Sequence, residues 1–481
     1  MISNSDPKNE LLSYEQKALE VLAEVVINKS LIYQAGFGSR AIPTYVGEWI
    51  ISRFLEGEEF SEDARSRIAQ FIAKYLPAKG QKDQVKDSLL RQEPVNLLDD
   101  YSVGVNLTTG QRMLRIPFLD INNAHLSALI VENNELLLTA GVWGVGELFY
   151  IPPAGSDRLK GEVWMRDLKP FQVGTVDLDY YLECRQYFSL EEWRDLLVSS
   201  MGFNPLSHTV RQKTVLITRI LPFVEPRLNL VELAPKGTGK SFVYDNLSRY
   251  GRVIGGGKVT PAVMFHNLAS NTPGLVTRYD LIIFDEIQSI AGDSAGELIA
   301  QLKVFLEAGK FSRGNTEATS EAGFVMLGNI TLDEDHRPVH LDEGIFREIP
   351  NFLQETAFID RLHGIIPGWE LPRVSKNTPS HSLGFKGDFF GEVMHRLRRE
   401  IRYADYVKLN MQLTGCDDLR DRKAITRIAT AYLKLLFPDL KVSENEFIEY
   451  CVHPAVELRQ RVRDELHKMD PEYTQVYIKA V

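Results

Sequence analysis

Leu228–Ser241, LNLVELAPKGTGKS, is the stretch whose reading decides the fold. Four of the six residues from Leu228 to Leu233 are apolar, a run short enough for an interior strand of a parallel sheet. Ala234 to Ser241 then supplies a glycine-rich turn, and SFVYDNLSRY can continue as a helix. A phosphate-binding loop needs that order, because the backbone N–H groups of the turn and of the helix N-terminus must all point at one anion. In such a loop Gly237, Thr238 and Gly239 cradle the phosphates, Lys240 reaches the β- and γ-phosphates of ATP, and the Ser241 hydroxyl holds Mg2+. Position 234 is alanine where the strict pattern has glycine, a change that the looser form of the motif admits.

Downstream, DLIIFDE, Asp280 to Glu286, is an apolar strand ending in two acids, the Walker B pattern. A strand buried on both faces delivers such acids beside the phosphate loop. Asp285 is expected to hold Mg2+, and Glu286 to orient or deprotonate the attacking water. A third strand, GFVMLGN, ends at Asn329, whose amide offers both donor and acceptor to a γ-phosphate or a lytic water. In ETAFIDRLHG, Arg361 follows an acid and is a candidate arginine finger, presented across a subunit boundary to charge growing on the transferring phosphoryl group. The competing reading is a pair of Asp360 with a neighbour inside the subunit.

Around this module the chain is long enough, at 481 residues, for roughly three domains. Its 44% hydrophobic and 25% charged residues are those of a soluble globular protein, and a net charge of −10 argues against a chain that coats nucleic acid everywhere. A local basic surface stays compatible with that charge. Three cysteines, Cys184, Cys416 and Cys451, lie far apart with no CxxC spacing, which fits a reducing compartment and offers no zinc site. With no signal-like N-terminus and no run of 18 apolar residues, the expectation is a cytoplasmic protein without a membrane partner.

The expected fold is a multidomain α/β protein. Residues 1–98 read as a helical N-terminal domain, with Lys79 to Asp99 as an exposed connection. Residues 99–188 change to short β-prone runs, among them SALIVEN and ELLLTAGVWG, that suggest a small barrel or sandwich. There Trp143, Phe149, Tyr150 and Trp164 suit either a core or a platform for single-stranded nucleic acid. Residues 189–205 form a linker helix opened by a Ser189/Glu192 capping box, 206–368 the α/β ATPase core, and 369–481 a helical lid with further C-terminal helices.

Two later stretches bear on what is moved. A hairpin over Phe305 to Asn315 would carry Lys310 and Arg313 toward DNA phosphates, or else be a solvated turn. Between Arg252 and Asp280 there is no aromatic-apolar-Gly triplet of the kind a polypeptide-threading loop would show, which favours DNA. GDFFGEVMHRLRREIRYADYV places Arg398, Arg399 and Arg402 along one helix as a basic stripe. The helix in DDLRDRKAITRIATAYLKLLF is expected to close over ATP, with Arg420, rather than Arg422, as a second sensor of the γ-phosphate.

The runs VELAPKGTGKSFVYDNLSRYGRVIGGGKVT, YDLIIFDEI, FLEAGKFSRGNTE, FVMLGNI, FIDRLHGIIPGWELP and DLRDRKAITRIATAYLKLLFP together resemble the AAA+ ATPase part of the BrxL family of BREX bacteriophage-defence systems, which carries a Lon-like protease label. The resemblance covers Leu206 to Pro438 in motif order and is looser before it. It implies an ATP-driven hexamer, or two stacked hexamers forming a dodecamer, that encircles double-stranded DNA rather like minichromosome-maintenance helicases, with other phage-defence proteins as further partners. It also assigns Lys240 and Ser241 to nucleotide and Mg2+, Asp285 and Glu286 to hydrolysis, Asn329 to the sensor role and Arg361 to the finger. Longer family members continue into a Lon-like peptidase domain, whereas this sequence ends at Val481, so proteolysis is not expected of it. Two other functions compete with the DNA-acting ATPase: a protein remodeller, and a nucleotide-gated DNA clamp.

Overall fold

The computed structural model of the chain describes residues 11–37, 42–55, 59–107, 110–154, 160–171, 175–255, 259–268, 272–290, 294–314 and 316–481. Asn315, at the end of the expected hairpin, lies outside the described residues.

The apolar runs singled out above come together as one five-stranded sheet. Its spatial order is Gly364–Pro367, Asn229–Ala234, Gly323–Asn329, Leu281–Asp285 and Gly251–Gly255, and all neighbours are parallel. A parallel sheet covered on both faces needs apolar side chains on both. The pleat accordingly sends Leu230, Ile283, Val325 and Ile366 into one core and Val231, Ile282, Phe324 and Ile365 into the other. Because all five strands run the same way, Ala234, Asp285, Asn329 and Pro367 emerge together at one edge, where α/β sheets bind their ligands.

Val95–Asn106, Gln111–Ile116, Ile121–Leu126, Val142–Ile151 and Glu162–Pro170 close into a barrel. Around it the strands run first, second, third, fifth, fourth, and only the third–fifth pair is parallel. That is the connectivity of an OB-fold. Two runs expected as strands are instead helical: Ala128–Asn133 is an α-helix and Glu135–Leu138 a 3-10 turn. Ser127 Oγ caps the helix by accepting from Ile130 N, and Ile130, Val131 and Leu137 join the barrel's core.

Several expected boundaries shift. The first barrel strand straddles residue 98, and the expected connection before it contains the helix Lys82–Leu90, anchored on the barrel core by Leu89. Most of that helix is polar because only one edge of it is covered. The N-terminal region is not a separate helical unit either. Tyr14, Ala18, Leu22 and Val26 belong to the core that covers the central sheet, and Val26–Asn28 pairs antiparallel with Leu383–Phe385. The expected linker, Leu190–Ser200, has its capping box (Glu192 N to Ser189 Oγ 3.2 Å, Ser189 N to Glu192 Oε2 2.8 Å) yet lies in the same core, where Trp193 is fully buried and donates to Leu435 O at 2.8 Å.

The expected basic stripe also breaks up. Gly387–Arg398 and Arg402–Asn410 are separate helices, and buried Arg398 donates to the carbonyls of Pro222 (2.7 Å), Glu225 (3.1 Å) and Asp280 (2.9 Å). The presumed lid helix, Leu419–Leu436, does not lie over the phosphate loop. Its apolar face packs into the core, and Lys434 Nζ donates to Val224 O (2.9 Å) and Glu225 Oε2 (3.0 Å), ahead of the strand that leads to the loop. Among the described residues no helix is long and apolar enough to cross a membrane.

Candidate functional site

Asn229–Ala234 is buried throughout and ends at Pro235, from which the chain turns through Gly237 (φ 84°) and Gly239 (φ 73°) into the helix Lys240–Asn246. Both glycines occupy the left-handed region that a side chain would strain. A Cβ on Gly237 would meet open space, so the backbone there, rather than packing, requires glycine. Ala234 tolerates its methyl because it still belongs to the strand.

The groups singled out in three separate strands converge here. Lys240 Nζ donates to Ala234 O (3.1 Å), Pro235 O (3.1 Å) and Asn329 Oδ1 (3.0 Å). Ser241 Oγ donates to Asp285 Oδ2 at 2.6 Å. These two oxygens are hard donors of the kind Mg2+ takes, so the set fits a metal–triphosphate at the loop. Burial pulls the Lys240 ammonium below its ordinary range; Glu232 opposes that, Arg219 adds to it and Asp285 opposes it. Glu286 follows in the left-handed region (φ 52°), a rare conformation for a side-chain-bearing residue, and its side chain is exposed. Gln288 Nε2 fixes the end of the neighbouring strand by donating to Asn329 O at 2.7 Å. Beside these groups opens a cleft of about 920 Å3, lined among others by Pro235, Lys236, Asn329, Asp333, Trp369 and Arg373. A cavity of about 1110 Å3 bounded by Arg194, Arg211, Tyr432 and Tyr450 shares no residue with the site.

The residue beneath the loop had no signal in its spacing. Arg219 and Glu232 are both fully buried and paired at 2.7 Å. Arg219 Nη2 also donates to Thr238 O (3.2 Å), and its Nη1 reaches Gly239 O at 3.5 Å. When the N–H groups of a loop face an anion, its carbonyls face away and need donors. Arg219 supplies them, while Glu232 balances its charge. From the other side Val374 N donates to Gly237 O at 2.7 Å, so the segment after Trp369, rather than the expected lid helix, lies against the loop.

Arg361 lies elsewhere. His363 N donates to Asn229 O (2.8 Å) and Asn229 N to His363 Nδ1 (2.9 Å), which sets Arg361 at the start of the phosphate-loop strand. Burial holds the His363 imidazole far below its ordinary range, so the ring stays neutral and can accept that bond. From Asn229 to Ala234 is six residues, about 20 Å of strand at about 3.3 Å each. Arg420 corrects the expectation made for it. It donates to Asp360 Oδ2 (2.6 Å) and meets Glu307 Oε2 (3.1 Å), the same carboxylate oxygen that Arg361 Nε meets at 3.3 Å. It therefore stands beside Arg361, at the other end of the strand from the phosphate loop. Buried Arg459 fixes this corner by donating to Asp360 Oδ1 (2.9 Å), Asp360 O (3.1 Å), Leu362 O (2.6 Å) and Asp421 Oδ1 (2.6 Å).

The expected hairpin exists as Lys310–Arg313 paired with Thr316–Thr319. Lys310 is exposed at its base, and Arg313, instead of standing free for phosphates, donates to His266 O at 2.5 Å. His266–Asn267 pairs in turn with Thr272–Pro273, so two ribbons lie side by side.

With this geometry in view, the chain matches two family models: the ATPase domain of Lon-like protease BrxL-like proteins over residues 163–479, and the BREX system Lon protease-like protein BrxL N-terminal domain over residues 20–150. It is 30% identical to "Lon-like protease BrxL" of Escherichia coli O9:H4 (strain HS) over 92% of this chain and 63% of that protein. It is 28% identical to the protein of the same name from Bacillus cereus (strain H3081.97), over 92% and 65%. An uncharacterized protein, ORF426, of Acidianus filamentous virus 1 is 23% identical over 43% of this chain. The chain thus spans under two thirds of the length of the two BrxL proteins.

Removing one partner of a buried ion pair strands the other, at a cost of about 3–5 kcal/mol, whereas removing both is often tolerated. Arg219→Met is therefore expected to lower the melting temperature sharply, and Arg219→Met with Glu232→Leu to recover most of it. Neither variant should regain nucleotide affinity, because the loop's carbonyls lose their donor in both; calorimetric titration with ATP checks this.

Proposed function

The chain belongs to the BrxL family of Lon-like ATPases, and from that premise we propose that it is a ring-forming AAA+ ATPase acting on DNA in BREX-type phage defence. One observation carries this reading. Lys240, Ser241, Asp285 and Asn329 meet at the C-terminal ends of the strands, while Arg361 and Arg420 stand about 20 Å away at their N-terminal ends. Two halves of one hydrolytic site held that far apart are completed by a neighbouring copy, and a closed ring lets every copy serve in both roles.

Bound Mg2+–ATP supplies the electrophilic phosphorus and the charge that neutralises its oxygens. The loop backbone from Gly237 to Ser241 holds the phosphates, and Ser241 and Asp285 hold the metal. Lys240 exchanges neutral oxygen partners for anionic ones, a change that favours its charged form. Asn329 orients the attacking water and Glu286 accepts its proton. The guanidiniums of Arg361 and Arg420, from the adjacent copy, meet charge that grows only as the phosphoryl group transfers. Glu307 holds both until then.

Work on DNA is supported by the paired ribbons. They join the acid-bearing strand to its neighbours in the sheet and carry Lys310, whose exposed ammonium suits a phosphate contact. Duplex DNA binding is expected to fall steeply with salt on a log–log plot, and Lys310→Ala to flatten that slope by about one unit. A flat slope in the parent protein would favour a protein remodeller.

For the shared site, Lys240→Ala and Arg361→Ala are each expected to abolish turnover. Mixed in equal amounts and reassembled, they should regain roughly a quarter of wild-type ATPase, since only sites taking one intact half from each variant work. No recovery at any ratio would place both groups within one subunit's site.

A further inference from the structure

The outer wall of the barrel carries a line of rings. On four neighbouring strands, one residue adjacent to a barrel-core side chain turns outward: Met113 beside Leu114, His125 beside Ala124, Trp164 beside Met165 and Phe149 beside Leu148. The pleat requires this, since consecutive side chains point to opposite faces. Register then draws the four into a row. His125 is opposite Trp164 and Trp164 opposite Phe149, while the Leu114–Ala124 pairing brings Met113 beside His125. The His125 and Trp164 rings stack with centroids 4.9 Å apart and planes 23° apart, and the Arg166 guanidinium lies 5.0 Å from the Phe149 ring.

These side chains belong to none of the cores formed by the described residues, and each keeps part of its surface open. The other two candidate aromatics do not share the row: Trp143 packs with the N-terminal helices and Tyr150 against the barrel interior. A solvated outer wall normally alternates polar-out with apolar-in, so three rings and a thioether in line need a ligand that offers flat apolar faces.

We propose that this row is a base-stacking platform for single-stranded nucleic acid. With strands about 4.8 Å apart, four positions span about 15 Å, the scale on which a four-stranded sheet stacks two or three bases. Arg115 and Arg166, each two residues from a member of the row, share its face and can meet phosphates on either side. Nearby acids temper that charge: Glu147 accepts from Arg166 at 3.0 Å, Glu162 fixes the Trp164 ring by accepting from its Nε1 at 3.0 Å, and Asp167 adjoins. Stacking rather than charge therefore carries the affinity, and the platform takes unpaired bases, whose faces a duplex hides. This site does not depend on ring formation or on ATP.

The test uses the full chain and a fluorescein-labelled 12-nucleotide deoxythymidine strand, without nucleotide. Trp164→Ala and Phe149→Ala are each expected to weaken binding by about tenfold or more, and Trp164→Phe to restore most of it. A strand of the same length built from abasic sites should bind as weakly as the alanine variants, while duplex affinity should not change in any of them. The proposal is overturned if both alanine variants bind the oligomer as the parent does, if the abasic strand binds equally well, or if Trp164→Ala alters the assembly state, which would make the row a contact between copies. Should Trp164→Ala lose its circular dichroism spectrum, Phe149→Ala decides alone.

Discussion

A parallel strand cannot bring its two ends together, and that constraint organises this molecule. The strand Asn229–Ala234 carries the phosphate loop at one end, and at the other hydrogen-bonds to the turn that bears Arg361. About 20 Å of rigid, fully buried backbone separates them. Neither a rotamer change nor a loop motion closes such a gap within one copy. On the proposed reading, the loop and the guanidiniums act on one nucleotide where copies meet edge to edge.

Both ends of the strand rest on buried arginines. Beneath the loop, Arg219 satisfies the carbonyls of Thr238 and Gly239 while paired with Glu232. Beneath Arg361, Arg459 ties Asp360 to Asp421 and so fixes the carboxylate that holds Arg420. Buried charges are costly unless paired and hydrogen-bonded, and here the partners lie beside the phosphate loop or beside Arg361 and Arg420. Geometry is thereby fixed at the two places on which the proposed hydrolysis depends.

The parts of the site that were legible in the sequence are those with a local pattern. Asp285 and Asn329 each end an apolar run, Lys240 and Ser241 follow one across a glycine turn, and a parallel sheet brings such ends together whatever lies between. Arg219 and Glu232 lack such a pattern, because one lies in a helix and the other inside an apolar strand, and only the fold makes them neighbours. The one available signal was Glu232 itself, a charge in a strand buried on both faces, which requires a partner from outside the strand. Arg420 was misplaced for the converse reason. Its helix looked like a lid by order along the chain, but its apolar face packs it away from the loop. Likewise Ala128–Asn133 has β-prone composition but begins at a serine cap, and the cap prevails once Ile130 and Val131 find the barrel's core. The row on the barrel needed the registers, since four residues on four strands share no spacing in sequence.

The most direct measurement of the central claim is an electron-microscopy reconstruction of the assembled protein with a slowly hydrolysed ATP analogue, resolved well enough to locate side chains. The account predicts the Arg361 guanidinium within hydrogen-bonding distance of the γ-phosphate held by the adjacent copy, with Arg420 beside it, and a strand's length from its own. An Arg361 that contacts only Glu307 in every copy while ATP sits fully enclosed by a single subunit would contradict it.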